Sequence, residues 1–413
     1  MASLIGKRTS GMLPYDGRGL SGAQSAPLPV RVILRPAHDE NALCGPWREL
    51  EARSDCSFFQ SWTYTGCLMA ERFPDPVVLE AFVRTTENTE NEAEERVALA
   101  LFNRRRGRLG IERLRLGESG IPSFDTLFIE HNGPLVARGF VPSLLPKLVH
   151  AALHQPVGPA PAPSAKRVVS LSGVGGDVLA AARSAGAVIN LEKTRLAPAL
   201  DVAGLRRKGI GHLDCLSANT RYQLRRTLRR FAASGPLSVR RAASPAEAHA
   251  WLDALAKLHQ RTWEGRGQRG AFAEPDFQRF HHALIDRGLP RREVDVLEVR
   301  AGPECLGYLL NFVFHGTVYA YQSGFDYALA GRHQKPGLTC HHLAIEMYLR
   351  EGVDRYDFLG GAERYKLSLS DASTPLHWMS LAPRWSAAGG LLRLSRAHQA
   401  ISARLGRHGR RNP

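Results

Sequence analysis

Tyr319-Ala320-Tyr321-Gln322-Ser323-Gly324-Phe325-Asp326, followed by Gln334-Lys335-Pro336-Gly337-Leu338-Thr339, is the stretch on which the fold turns. It reads as a strand, a glycine-containing loop and the start of a helix. That order makes an anion site, because unpaired backbone N–H groups and the helix dipole both point at the loop. Pro336 fixes the chain just before Gly337, and Gly337 lets the backbone come close to a phosphate. A plain strand-to-helix turn uses the same spacing.

Working outward, residues 294–299, 305–314 and 317–324 read as three strands. The link His315-Gly316 is short enough for a hairpin. A helix over 338–351 and a strand over 355–359 follow, the latter expected to add in parallel to one antiparallel sheet. Upstream, Ser217 to Thr220 supply an N-cap for a helix over 221–233, and two more helices cover 245–263 and 276–286. Helices, antiparallel strands, a helix and a last strand make an α+β pattern with a mixed sheet.

The first half is less sharply written. Residues 30–34 read as a strand and 47–53 as a helix, while 77–83 fit either a strand or a short apolar helix. Residues 96–102 and 108–116 resemble a hairpin whose turn is Asn103-Arg104-Arg105-Arg106-Gly107. Strand 168–171, turn Gly173 to Gly176 and helix 177–185, capped by Asp177, mimic a dinucleotide fingerprint. The G-x-G-x-x-G spacing fails, since Val178 stands where the third glycine belongs. The expected organisation is a disordered tail over 1–27, a unit over 28–198 with a proline-rich excursion at 155–165, a unit over 199–388, and a basic amphipathic helix and tail over 389–413.

A chain of 413 residues, 44% hydrophobic and 23% charged, is long enough for two cores. It contains no apolar run near the roughly 18 residues a transmembrane helix needs, and the first residues lack the apolar core of a secretory signal, so a cytoplasmic location is expected. The six cysteines are scattered without C-x-x-C pairs, and Cys340-His341-His342 diverge around a helix, so reduced thiols and no metal site are expected. The net charge of +16 comes mainly from scattered arginine with little lysine, so no specific DNA binding is expected, while an anionic ligand such as a CoA thioester or a nucleotide-sugar, or a phospholipid surface, stays compatible.

The loop 334–339 resembles the Q/R-x-x-G-x-G/A acyl-CoA loop of the GNAT superfamily of acyltransferases, with Thr339 in place of the usual Gly or Ala. Residues 199–385 are similar to the cellulose-biosynthesis acetyltransferase-like proteins of that superfamily and to the Fem-type transferases. The likeness rests on Arg221 to Arg230, His259 to Trp263, Tyr321 to Asp326, Tyr356 to Gly361 and Tyr365-Lys366. The resemblance implies two GNAT-like domains, the first a degenerate copy that lacks the loop. It also implies acyl-CoA as cosubstrate, with no permanently bound cofactor, and an amine or hydroxyl acceptor on a saccharide, lipid or cell-envelope precursor.

Under that resemblance Gln322, Gln334, Lys335, Gly337, Leu338 and Thr339 would hold the donor, and Lys366 would stabilise an oxyanion or phosphate. Trp263 and Tyr365 would line the acceptor side. Asp326 and Asp357, at strand ends, are candidate bases. His259 has the side chain suited to proton transfer, yet shares a helix face with Leu255 and Trp263 as a core histidine would. Arg221, Arg225 and Arg229 recur at i, i+4, i+8 and form either a solvated face or an acceptor-binding rim. Two alternatives stay open: an aminoacyl-tRNA donor, as in Fem-type enzymes, and a non-catalytic basic protein that binds nucleic acid or a membrane surface weakly.

Overall fold

The computed structural model describes residues 29–86, 92–107, 110–122, 124–125, 129–159, 166–331, 334–361 and 363–408. The expected tail over 1–27, the excursion beyond residue 159 and the last residues after 408 lie outside the described residues. One element order, β-α-α-β-β-β-α-β-α-β, occurs twice along the chain. In the first half it runs β1 (Val30–Pro36), α1 (Glu40–Ala52), α2 (Trp62–Arg72), β2 (Pro76–Thr86), β3 (Glu92–Arg106) and β4 (Glu112–Leu116). A two-residue strand, β5 (Leu135–Val136), interrupts before α3 (Val141–His154), β6 (Arg167–Val174), α4 (Gly176–Ser184) and β7 (Val188–Asp201).

Three helices, α5 (Val202–Lys208), α6 (His212–Cys215) and α7 (Ala218–Ala232), lead into the second half. There the order repeats as β8 (Leu237–Arg241), α8 (Pro245–Glu264), α9 (Pro275–Gly288), β9 (Val294–Ala301), β10 (Glu304–Phe314) and β11 (Thr317–Phe325). It closes with α10 (Pro336–Arg350), β12 (Arg355–Asp357), α11 (Arg364–Leu369), β13 (Ala372–Ala382) and α12 (Ala387–His408).

The sheet order is β1-β2-β3-β4-β6-β13-β7-β12-β11-β10-β9-β8, with β5 paired to β3 off this path. The order is mirror-like about its centre, and the last strand of each half has crossed to the other. β13 pairs with β6 of the first half, β7 pairs with β12 of the second, and the two crossed strands pair with each other along Val188 to Ala199. Residue 199, where the second unit was expected to begin, lies inside β7. The strands expected at 294–299, 305–314 and 317–324 are antiparallel neighbours, and β12 adds to β11 in parallel.

Several local expectations need correction. The arginine run does not form a turn: β3 continues to Arg106 because Asn103 is buried and its side chain ties Asp75 N–H to Ser119 C=O, while Arg104 Nε pairs with Asp75 at 2.8 Å. The first helix starts at Glu40, because Asp39 accepts from the N–H groups of Asn41 and Ala42. Residues 77–83 belong to strand β2. Asp177 does not cap α4; Gly175 holds the N-cap position and Asp177 sits in the first turn, where the dipole favours a carboxylate. Strand β12 ends at Asp357, because Leu359 takes a left-handed backbone (φ 59°) that no strand continues through.

Among the described residues, no helix is long and apolar enough to cross a membrane. The larger core cluster spans both halves. Phe58, fully buried between α1 and α2, stacks on Phe312 of β10 at 4.2 Å and meets Tyr64 edge-on. Phe58→Ala should therefore destabilise the whole chain by ~3–5 kcal/mol, the range for a phenylalanine truncated in a packed core. Chemical denaturation of the two proteins measures it; a loss below ~1 kcal/mol would show that the halves do not lean on this stack.

Candidate active site

The parallel pair β11–β12 lasts only from Thr317–Arg355 to Tyr319–Asp357, after which the strands part. Beyond that point β12 and the turn after it stay with the crossed strand β7: Phe358 N–H donates to Pro198 C=O, and Gly361 N–H to Leu196 C=O. β11 turns the other way. Its register against β10 slips between Leu310 and Asn311, leaving Tyr321 without an opposite residue, and such a bulge bends a strand. The result is a cleft of about 1080 Å³ between β11, α7, α8, the N-terminus of α10 and α11.

One wall is the start of α10. Its N-cap, Lys335, makes no side-chain cap bond, so the first-turn N–H groups at Gly337 and Leu338 receive none from it. Lys335 itself is fixed at both ends: its N–H donates to Thr227 Oγ1 and its ammonium to Gln223 Oε1 at 2.6 Å. Gln322, Gln334, Lys335, Gly337 and Leu338 all line the cleft. Thr339 does not; it is buried, and its hydroxyl donates back to Lys335 C=O. Gly337 is small for a different reason from the one expected. A Cβ there would lie 3.0 Å from Cε2 of Phe325, so the packing of that ring sets the space.

Lys366, Tyr365, Trp263 and His259 also line the cleft. Lys366 Nζ donates to Gly360 C=O at 3.1 Å and sits 3.5 Å from Leu359 C=O, which fastens α11 to the turn after β12. Tyr365 stacks on the buried ring of His341 at 5.5 Å. His259 Nε2 accepts from Trp263 Nε1–H at 2.9 Å, and indole nitrogen only donates, so the ring proton of neutral His259 is on Nδ1. In this tautomer His259 is a donor and a support for Trp263, not a base. Burial pushes its pKa down to about 4, against the pull of Gln260 beside it.

The remaining candidates lie elsewhere. Asp357 is buried below the cleft, where its Oδ1 accepts from Leu359 N–H and its Oδ2 lies 3.2 Å from both Arg355 and His131. Asp326 caps the N–H of Ala328. Arg221, Arg225 and Arg229 line a separate shallow depression with Tyr222 and Leu228, because α7 turns Asn219, Thr220 and Gln223 toward the cleft instead. Residues the sequence reading missed also line the cleft: Glu130 from the first half, Arg195 from β7, and Arg266, Arg269, His341 and Arg364. Among the described residues, no group of His, Cys, Asp and Glu could hold a metal ion.

Five histidines, His212, His259, His281, His341 and His342, are buried with pKa values pushed down to between about 3 and about 4, chiefly by desolvation. They stay neutral in the folded chain while the unfolded chain protonates them near the ordinary value, ~6.5. Their contribution to stability is therefore present above that pH and lost as pH falls toward 4. Replacing His281 with Gln should flatten the fall between pH 6 and 4 by ~1.4 kcal/mol per pH unit. Urea unfolding across that range reads the slope; an unchanged slope would mean that this ring protonates in the native state.

Residues 218–367 match the family described as Acetyltransferase (GNAT) domain. Solved structures with a similar fold include FemX, at 10% identity over 88% of this chain and 100% of that one, with a TM-score of 0.54. A conserved protein of unknown function from Bacteroides thetaiotaomicron VPI-5482 is similar at 12% identity over 82% and 97% of the two chains, with a TM-score of 0.51. A tandem GNAT protein from the clavulanic acid biosynthesis pathway aligns at 11% identity over 85% and 98%, with a TM-score of 0.41. No curated protein matches the chain. The matched segment contains the parting strands, the open start of α10 and Lys366, and its likeness to a GNAT acetyltransferase domain supports an acyltransferase activity.

Proposed function

We propose that the protein transfers an acyl group, acetyl in the first instance, from acyl-CoA to an amine or hydroxyl of a saccharide, lipid or cell-envelope precursor. The observation that carries this reading is the cleft where β11 and β12 part. Its floor is a strand edge, Ala320 to Ser323, that has lost its neighbour and offers backbone groups to an amide-bearing arm. Its end is the uncapped N-terminus of a 15-residue helix with Lys335 beside it, a setting suited to a pyrophosphate. The cationic side chains Arg195, Arg266, Arg269, Lys335, Arg364 and Lys366 line one space, which favours a polyanionic donor. At about 1080 Å³ the cleft sits at the upper end of small-molecule sites, ~300–1,000 Å³, which leaves room for an acceptor next to the donor.

In this reading the acceptor attacks the thioester carbonyl, a tetrahedral oxyanion forms, and the C–S bond breaks to release CoA thiol. Lys366 is held at the cleft wall by the backbone C=O groups of Gly360 and Leu359, with exposed Glu363 3.5 Å away, and its ammonium would turn an N–H from that exposed carboxylate to the oxyanion. Calorimetry with acetyl-CoA and CoA tests the donor site. Wild-type protein should bind both, Gln334→Ala should weaken binding in part, and Gly337→Val should abolish it by driving a side chain into Phe325 and displacing the helix start. Lys366→Ala should leave affinity near wild type while turnover falls ~10²-fold, the cost of one oxyanion donor. If wild-type protein binds neither ligand at millimolar concentration, the donor is not acyl-CoA and an aminoacyl ester takes its place.

A lipid-linked acceptor is favoured by the surface beside α12. Trp385 is 86% exposed, and Leu391 and Leu394 are also solvent-exposed. Arg384 and Arg393 lie over the Trp385 ring, and residues 383–413 hold seven arginines and no acidic residue. An exposed aromatic flanked by cations is the signature of a helix that rests in an anionic membrane interface. Co-sedimentation with phosphatidylglycerol-containing vesicles should decline several-fold for the Trp385→Ala/Leu394→Ala protein relative to wild type. Equal binding of the two would remove the membrane from this reading.

A further inference from the structure

The first half contains the same strand pair that opens into the donor cleft in the second, and there it is shut. β4 and β6 run in parallel from Glu112–Arg167 to Leu116–Leu171, as β11 and β12 do. Where they would part, Asn132 is inserted. Its N–H donates to Gly173 C=O at 2.9 Å, and its Nδ2 reaches Leu116 C=O at 3.2 Å and Ser172 C=O at 3.1 Å. One side chain thus bridges carbonyls at the ends of both strands and ties them together. The neighbouring His131 holds the segment from the other side, accepting from Ser57 at its carbonyl and lying 3.2 Å from Asp357 with its Nε2.

This rigid plug carries Glu130 across to the working half. Glu130 is 1% exposed and is one of the residues that line the donor cleft. Its Oε2 accepts from Gly360 N–H. Gly360 has no room for a side chain, since a Cβ would lie 2.5 Å from Glu130 Oε1. The same residue offers its C=O to Lys366, so Gly360 is flanked by a carboxyl at its N–H and an ammonium at its C=O. Among the described residues that line the cleft, the other carboxyls are less buried: Glu363 is exposed, and Glu274 is half-buried and paired with Arg269.

We propose that Glu130 is the proton acceptor of the acyl transfer, delivered to the active half by the segment that closes the inactive one. The inference rests on the acyltransferase reading above. As the acceptor nitrogen or oxygen bonds to the carbonyl carbon, its proton passes to Glu130, and as the C–S bond breaks the proton passes on to the departing thiolate, which leaves as CoA thiol and restores the carboxylate. A buried carboxyl suits the task because burial raises its basicity toward the working pH. The hydrogen bond from Gly360 and the charges of Lys366 and His131 work against that rise, and Asp357 works with it. Lys193 of β7 and the buried phenol of Tyr64 on α2 also feel this carboxyl.

Glu130→Gln tests the proposal, because the amide oxygen can still accept from Gly360 but the side chain cannot take a proton. Thiol release from acetyl-CoA, with glucosamine and ethanolamine as acceptor probes, should drop ~10²–10⁴-fold, with acetyl-CoA affinity by calorimetry and thermal stability close to wild type. The wild-type rate should fall as pH drops through a limb lying above the ordinary carboxylate range, and the variant should lack that limb. Glu130→Asp should recover part of the rate and keep the limb. Retained acetyl-CoA binding with an unaltered rate and pH profile in Glu130→Gln would overturn the proposal alone. Absence of acetyl-CoA binding in the wild type would overturn the donor reading and this step with it.

Discussion

The crossing of the two terminal strands constrains everything else in this molecule. Each half builds an antiparallel meander, adds one parallel strand through a helix, and then has an edge left over. An uncovered edge is a row of unpaired N–H and C=O groups that invites aggregation. Here each half covers the other's edge, with β13 against β6 and β7 against β12, and the two crossed strands then pair along most of their length. The halves cannot separate without breaking backbone ladders on both sides. That explains why the larger apolar cluster runs from Leu34 in β1 to Leu381 in β13 without respecting a boundary, and why an aromatic residue such as Phe58 can find its closest ring partner in the other half.

The same exchange creates the cleft. β12 is only three residues long and is held by β7, which keeps the turn Phe358 to Gly361 on the side of the first half. β11, bent by the unopposed Tyr321, follows β10 and the second half. Two strands that start as neighbours are therefore pulled apart by different partners, and a helix N-terminus occupies the gap between them. A polyanion is favoured there without any dedicated charge, because partial positive charge from backbone N–H groups is already directed at the space; the arginines and lysines add to a field that the fold provides.

How much of this was legible depends on the range over which each feature is encoded. Strands β9 to β11 and the N-cap at Ser217 are written in neighbouring residues, through period-two alternation and a capping serine, and they stand where those patterns put them, while the helix expected from Leu338 already starts at Pro336. The strand exchange is encoded in no local pattern, since β7 and β13 look like ordinary strands and only their partners differ. Glu130 was invisible for the same reason. Its partner Gly360 is 230 residues away, and nothing in Ile129 to Pro134 marks a cleft residue. Charge without burial misled in the other direction. Arg221, Arg225 and Arg229 were singled out by spacing, yet the residues two positions before them, Asn219 and Gln223, line the cleft, while the arginines line a separate depression.

A repeated architecture in which Asn132 ties the strand ends of the first half also gives that half a part in the cleft of the second. Had the first half kept its opening, residues 129–133 would be free to follow the strand ends, and the chain would carry two shallow sites, each without a fixed carboxyl. With Asn132 committed to the ends of β4 and β6, the segment loses its freedom once, on folding, and Glu130 arrives at the other half in a single position. Ordering a side chain after the ligand arrives would cost binding energy at each turnover, whereas ordering it through the plug sets that cost against the stability of the fold. The first half is thus part of the cleft's construction, and its most consequential contact there is the one from Gly360 N–H to Glu130.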